Sequence, residues 1–154
     1  MKKHRGATPE IIDNLRRIFQ AINEYSRTAE KTTGLTGPQL WALKILDSAS
    51  PIRVSDLAQR MYLRPATVVG ILDRLEMKGL VSRTRSTEDR RAVDLTLTET
   101  GKRLAAKSPE VAQVMLVKGL DELTEEQFST VEEGMMLMVR MLGAENLSPQ
   151  PLHG

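Results

Sequence analysis

Residues 54–98 constrain the fold more than any other stretch, because within them the apolar period changes from that of a helix to that of a strand. Residues 64–78 predict a helix with both ends written in. Pro65 stands at the first helical position, where its missing N–H costs nothing, and Gly79 follows the last turn. Leu80 is then placed to fold back onto Leu75, the contact expected of a helix ended by a left-handed glycine. Val68, Ile71, Leu72 and Leu75 fall at i, i+3, i+4 and i+7, a single apolar stripe. The opposite side carries Ala66, Thr67, Val69, Gly70, Asp73 and Arg74, mostly small side chains flanked by arginine. Such a face lets something large come close.

Beyond Gly79 the period becomes 2. Val93, Leu95 and Leu97 alternate with Asp94, Thr96 and Thr98, which predicts a half-buried strand. Residues 80–85 are its antiparallel partner and residues 86–90 the polar turn, so that Arg83, Arg85, Arg90 and Arg91 gather at or near the tip of a hairpin. Residues 54–61 make a short positioning helix with Leu57, Ala58 and Met61 at core spacing. Helix, helix and basic hairpin together describe a winged helix-turn-helix.

That ordered set resembles the MarR family of bacterial transcriptional regulators across residues 8–142. LTGPQLWALKIL is similar to the family's second helix, VSDLAQRM to its third, and RPATVVGILDRLEMKGLVSR to its recognition helix. The wing motif Asp-x-Arg stands as Asp89, Arg90 and Arg91, followed by LTLTETG at residues 95–101. The resemblance implies a mainly α fold: a winged helix-turn-helix with a small β-hairpin wing and a helical dimerisation region formed by N- and C-terminal helices. It also implies that Arg91 enters the minor groove with Asp89 holding it in place, and that a small aromatic or phenolic effector binds in a cleft beside the second helix. The departures lie at Arg64, where the family usually has a serine or threonine cap, and at Gly70 in mid-face. They weaken hydrogen-bonded base readout and shift weight to the wing.

In residue terms the expected DNA contacts are as follows. Arg64 and Arg74 reach phosphate or guanine, Thr67 hydrogen-bonds a base edge or a phosphate, and Ala66 and Val69 touch thymine methyls beside Gly70. Arg83, Arg85 and Arg90 hold phosphates. The charge distribution fits. Residues 53–103 carry 11 basic against 7 acidic side chains, whereas residues 104–154 carry 3 against 8. The acidic C-terminal part would be repelled by phosphates.

The flanking segments are helical. Ile11, Ile12, Leu15, Ile18, Phe19 and Ile22 mark an amphipathic helix over residues 9–30. Thr36 to Gln39 fits a capping box opening a second helix with Leu40, Leu43 and Leu46. Trp41, the only tryptophan, lies in that helix and is open to two readings, core or ligand contact. Residues 99–120 are helical with Pro109 as a kink or break, leaving one bent helix or two. A second capping box, Thr124 to Gln127, opens the last helix, where Phe128, Val131, Met135, Met138 and Leu142 make a helix–helix seam.

These readings divide a single domain, residues 1–154, into a DNA-binding part at 36–100 and a helical dimerisation part at 8–32 and 101–143. Ile11, Leu15 and Ile18 of the first helix are expected to join the seam of the last in a two-fold homodimer, with plain intramolecular packing as the other reading. The tail, residues 148–151, is expected to be disordered.

Other functions find little support. The histidines, His4 and His153, stand in the two tails, so no serine has a base nearby, and no glycine-rich phosphate loop or metal-ligand spacing occurs. Neither enzyme activity, cofactor nor metal is expected. The absence of cysteine excludes disulfides and thiol-based sensing. The basic MKKHR start is not followed by an apolar segment and no run is long enough to span a membrane, so a cytoplasmic address is expected. The remaining alternative is a helical dimer whose winged unit binds protein instead of DNA.

Overall fold

The computed structural model describes residues 6–152. Lys2, Lys3, Arg5 and both histidines lie outside the described residues. Among the described residues seven helices and one hairpin follow in the order α1 (Thr8–Thr33), α2 (Gly37–Ala49), α3 (Val54–Arg60), α4 (Pro65–Met77), β1 (Val81–Arg85), β2 (Val93–Leu97), α5 (Glu99–Lys107), α6 (Ala112–Asp121) and α7 (Glu125–Met141). The fold is mainly α with a two-stranded wing, as the sequence implies.

Local signals set most boundaries. Thr36 and Thr124 are realised as full capping boxes: each hydroxyl accepts the N–H of Gln39 or Gln127, and each glutamine side chain accepts the N–H of its threonine. Gly79 adopts a left-handed φ of 70°, and Leu80 N–H donates to Leu75 O at 3.0 Å, which closes α4 as its sequence predicts.

The core lies between α2, α3, α4 and the hairpin. Leu40, Leu43, Leu46, Leu57, Val68, Leu72, Leu75 and Leu95 are completely buried there. In the wing Val81 pairs with Leu97 and Arg85 with Val93. Ile52 adds a rung that the sequence did not reveal, exchanging both backbone hydrogen bonds with Leu95 and so anchoring the entry to α3 on the wing. Of the three apolar positions on β2, Leu95 and Leu97 are buried, but Val93 is exposed because the hairpin has left the core by that point.

Pro109 separates α5 from α6, so residues 99–120 form two helices. α5 packs on α2 and β2, and thus sides with the winged part and not with the helices beyond it. The contact is close. A Cβ on Gly101 would collide with the carbonyl oxygen of Leu80, and the same turn is tied by Thr98, whose N–H reaches Leu80 O at 3.1 Å while its hydroxyl donates to Gly79 O at 2.7 Å.

The two ends of the chain behave differently from the middle. α1 packs on α2 and α6 yet leaves Ile11, Ile18 and Phe19 exposed, while α7 buries none of its residues against its own chain. Residues 148–151 depart from the expected disorder. Residues 149–152 lie along α2 and α6, where the buried amide of Gln113 donates to Leu152 O at 2.6 Å. No helix among the described residues is long and apolar enough to cross a membrane.

Candidate nucleic-acid interface

α4 buries the stripe Val68, Ile71, Leu72 and Leu75, so the helical repeat turns Ala66, Val69, Gly70, Asp73 and Arg74 outward. Those five are exposed, and nothing lies within 4 Å of where a Cβ on Gly70 would stand. Thr67 is only half-buried, at the edge of this face. Arg64 occupies the N-cap with extended backbone and no side-chain cap hydrogen bond. Its guanidinium is therefore not spent on closing the helix.

The wing is joined to this face by one side chain. Arg83 on β1 donates to Asp73 Oδ1 at 2.6 Å and places Nε 2.9 Å from Glu76 Oε2. Asp73 is one turn beyond Gly70 on the outward face, so the bridge sets the hairpin beside the exposed surface of α4. Arg83 was expected as a phosphate contact. With its guanidinium committed to two carboxylates of α4 it acts as a brace, a role that sequence spacing alone did not disclose.

The tip is organised by short-range hydrogen bonds. Ser86, one of two buried polar residues among the described ones, accepts the N–H groups of Glu88 and Asp89, and Ser86 N–H donates to Ala92 O at 3.0 Å. Asp89 Oδ1 accepts the backbone N–H of Arg91 at 3.0 Å. Asp89 thus holds Arg91 through its main chain, leaving the guanidinium free. The reason is geometric: a carboxylate two residues back in a turn reaches the peptide N–H first. Among the described residues, the side chains of Arg64, Arg74, Arg85, Arg90 and Arg91 are exposed and make no ion pair. Arg53 and Arg60, which border the same module, are also exposed and add basic groups that lie outside the helix and wing motifs.

Trp41 is half-buried, packed on the core on one side and bordering two cavities on the other. One, of about 510 Å³, is an open cleft with Lys44, Arg60 and Lys118 at its walls. The second, of about 220 Å³, lies between α2, α6, the α3–α4 turn and residues 149–152.

Comparison with known proteins gives this geometry its context. Residues 35–93 match the family model of the MarR family. Over 127 residues the chain is 34% identical to the HTH-type transcriptional repressor MdtR of Bacillus subtilis (strain 168), with 82% of each protein covered. The chain belongs to the MarR family. Among solved structures it resembles a MepR-like protein complexed with pseudoligands, at TM-score 0.57 and 26% identity over 92% of this chain and 98% of that one. FabT of Streptococcus pneumoniae, solved in complex with DNA, shares the fold at TM-score 0.57 and 23% identity, covering 88% and 96% of the two chains. The chain is thus a MarR-type transcriptional regulator and not an enzyme, and the matched residues take in α4 and the tip of the wing.

Proposed function

We propose that this MarR-family chain binds a pseudo-palindromic operator as a homodimer and represses transcription until a small aromatic or phenolic effector releases it. The observation that carries the DNA-binding part is the brace. Arg83 couples a helix face of small residues to a hairpin whose remaining arginines are unpaired, so helix and wing meet the duplex as one surface.

A helix of about 10 Å diameter enters the major groove, which is about 12 Å wide. Ala66, Val69 and Gly70 allow close approach, with Val69 against thymine methyls, Thr67 at the edge of the face, and Arg64 and Arg74 on phosphate or guanine. Arg91 enters the minor groove, where a narrow A·T-rich segment concentrates negative potential, while Arg85 and Arg90 take phosphates.

The homodimer reading rests on the outer helices. Ile11, Leu15 and Ile18 of α1 and Phe128, Val131, Met135, Met138 and Leu142 of α7 form apolar faces, of which Leu15 and Met138 alone are even half-buried. A contiguous apolar surface of this kind is costly in water, and an isologous pairing of two copies covers it. In this division residues 36–100, together with α5, form the DNA-binding part, and α1, α6 and α7 the dimerisation part. Two recognition helices would then address half-sites about 34 Å apart.

Effector entry beside Trp41 is supported by the two cavities that border it: the smaller is lined mostly by apolar side chains, and the larger by Lys44, Arg60 and Lys118 with Glu110 among them, a net positive wall for a carboxylate. A ligand preferring one spacing of the two recognition helices would shift the population of the DNA-competent form. Repression follows the role that the name of MdtR gives that relative, and the location in this reading is the cytoplasm. Selection of bound duplexes from a random pool tests the core of this reading. An enriched two-fold site is expected; failure to retain any duplex at low salt would favour the protein-binding alternative.

A further inference from the structure

We infer that residues 149–152 are a docked strap that walls the smaller cavity beside Trp41, and that a molecule too large for the space they leave must displace them. Three observations converge. Gln113 on α6 is one of only two buried polar residues among the described ones, and its amide donates to the carbonyl of Leu152 at 2.6 Å. A buried amide without a partner is costly, and with the tail in place the carbonyl of Leu152 supplies that partner.

The backbone carbonyl of Leu152 also lies 3.7 Å from where a Cβ on Gly37 would stand, as does the Gln113 amide, so that the tail closes over the first turn of α2. Finally, Pro149, Pro151 and Leu152 line the same cavity as Trp41, Tyr62, Leu63, Leu116 and Val117. The two prolines restrict the tail before it docks, which lowers the entropy lost on docking.

The position of the strap gives it a consequence. It is bonded to α6 and shares its cavity with Tyr62 and Leu63, the turn that leads directly into the recognition helix. When it leaves, the Gln113 amide becomes a ready donor in an apolar cavity. The displacing molecule is accordingly flat and mainly apolar, with one hydrogen-bond acceptor. This last step rests on the reading that a small molecule enters beside Trp41, whereas docking of the strap does not.

Because the chain has one tryptophan and no cysteine, both steps can be read on the full-length protein. Gln150→Cys carries a uniquely placed nitroxide quencher. Trp41 emission should be strongly quenched, and either Gln113→Ala or Leu152→Asp should restore it, the former weakening docking about fivefold as the loss of one hydrogen bond implies. Unquenched emission, or quenching indifferent to both substitutions, overturns the strap. The second step uses 1-anilinonaphthalene-8-sulfonate. It should restore Trp41 emission in the labelled protein and bind Leu152→Asp about fivefold or more tighter than the parent. Equal affinity for the two with a demonstrably docked tail would overturn the competition and leave the DNA-binding assignment untouched.

Discussion

Gly101→Ala is the substitution whose effect follows most directly from the packing. The added methyl would meet the carbonyl oxygen of Leu80, a backbone atom that cannot rotate aside as a side-chain tip can. That oxygen also accepts the N–H of Thr98, and Thr98 caps α5 through Gly101 N–H at 3.0 Å, so one displacement disturbs both the strand exit and the helix start. Overpacking of this kind costs about 1–3 kcal/mol. A weakened hydrogen bond adds about 1 kcal/mol, and the better helix propensity of alanine returns about 1 kcal/mol. The net expectation is a loss of about 2 kcal/mol, or roughly 4–8 °C in Tm for a chain of this size.

Gly119→Ala in α6 is the matched control. Nothing lies within 4 Å of its added Cβ, so the propensity gain of about 1 kcal/mol should stand alone. Both variants and the parent would be melted by circular dichroism at the same protomer concentration, since dimer stability depends on it. A Gly101→Ala protein as stable as the parent would refute the claim that α5 is seated on the Leu80 carbonyl.

Other perturbations separate the roles assigned above. Arg91→Ala should lower affinity for the selected duplex by roughly 10–100-fold in fluorescence anisotropy and leave the melting curve unchanged; parental affinity at physiological salt would remove the wing from recognition. Arg83→Met should cost less than about 1 kcal/mol of stability, because its ion pairs are largely solvated, yet reduce DNA affinity by letting the wing drift from α4. An affinity equal to the parent's would mean that the brace is dispensable. Met135→Lys places a charge in the proposed seam of α7, where 57% of the side chain is uncovered in the single chain. Light scattering should report protomers at micromolar concentration, and an unaltered mass would direct the search for an interface elsewhere.

The legible parts of this molecule were those governed by neighbours in the chain. The Pro65 start and Gly79 stop of α4, the capping boxes at Thr36 and Thr124, and the burial of Val68, Ile71, Leu72 and Leu75 all depend on residues within two turns of each other. The switch to period 2 likewise placed the wing within a residue of its observed strands. The site was readable in kind for the same reason, since small residues and arginines recur at fixed helical and turn spacings.

What depended on distant partners was not legible. Arg83 read as one more phosphate contact, because nothing in its own strand indicates that Asp73 and Glu76 of another element will face it. Polar, proline-rich residues at the end of the chain argued for disorder, and only the approach of Gln113, a residue 39 positions earlier, gives them a place. The break at Pro109 was ambiguous because proline forbids a helical hydrogen bond without fixing where the chain goes next. Sequence by itself determined the elements, their caps and their inward faces, since short-range sterics and hydrogen bonding fix those. The tertiary structure decided which charges are spent inside the molecule and which remain free for a polyanion, because a side chain's electrostatic role depends on groups that folding alone brings near.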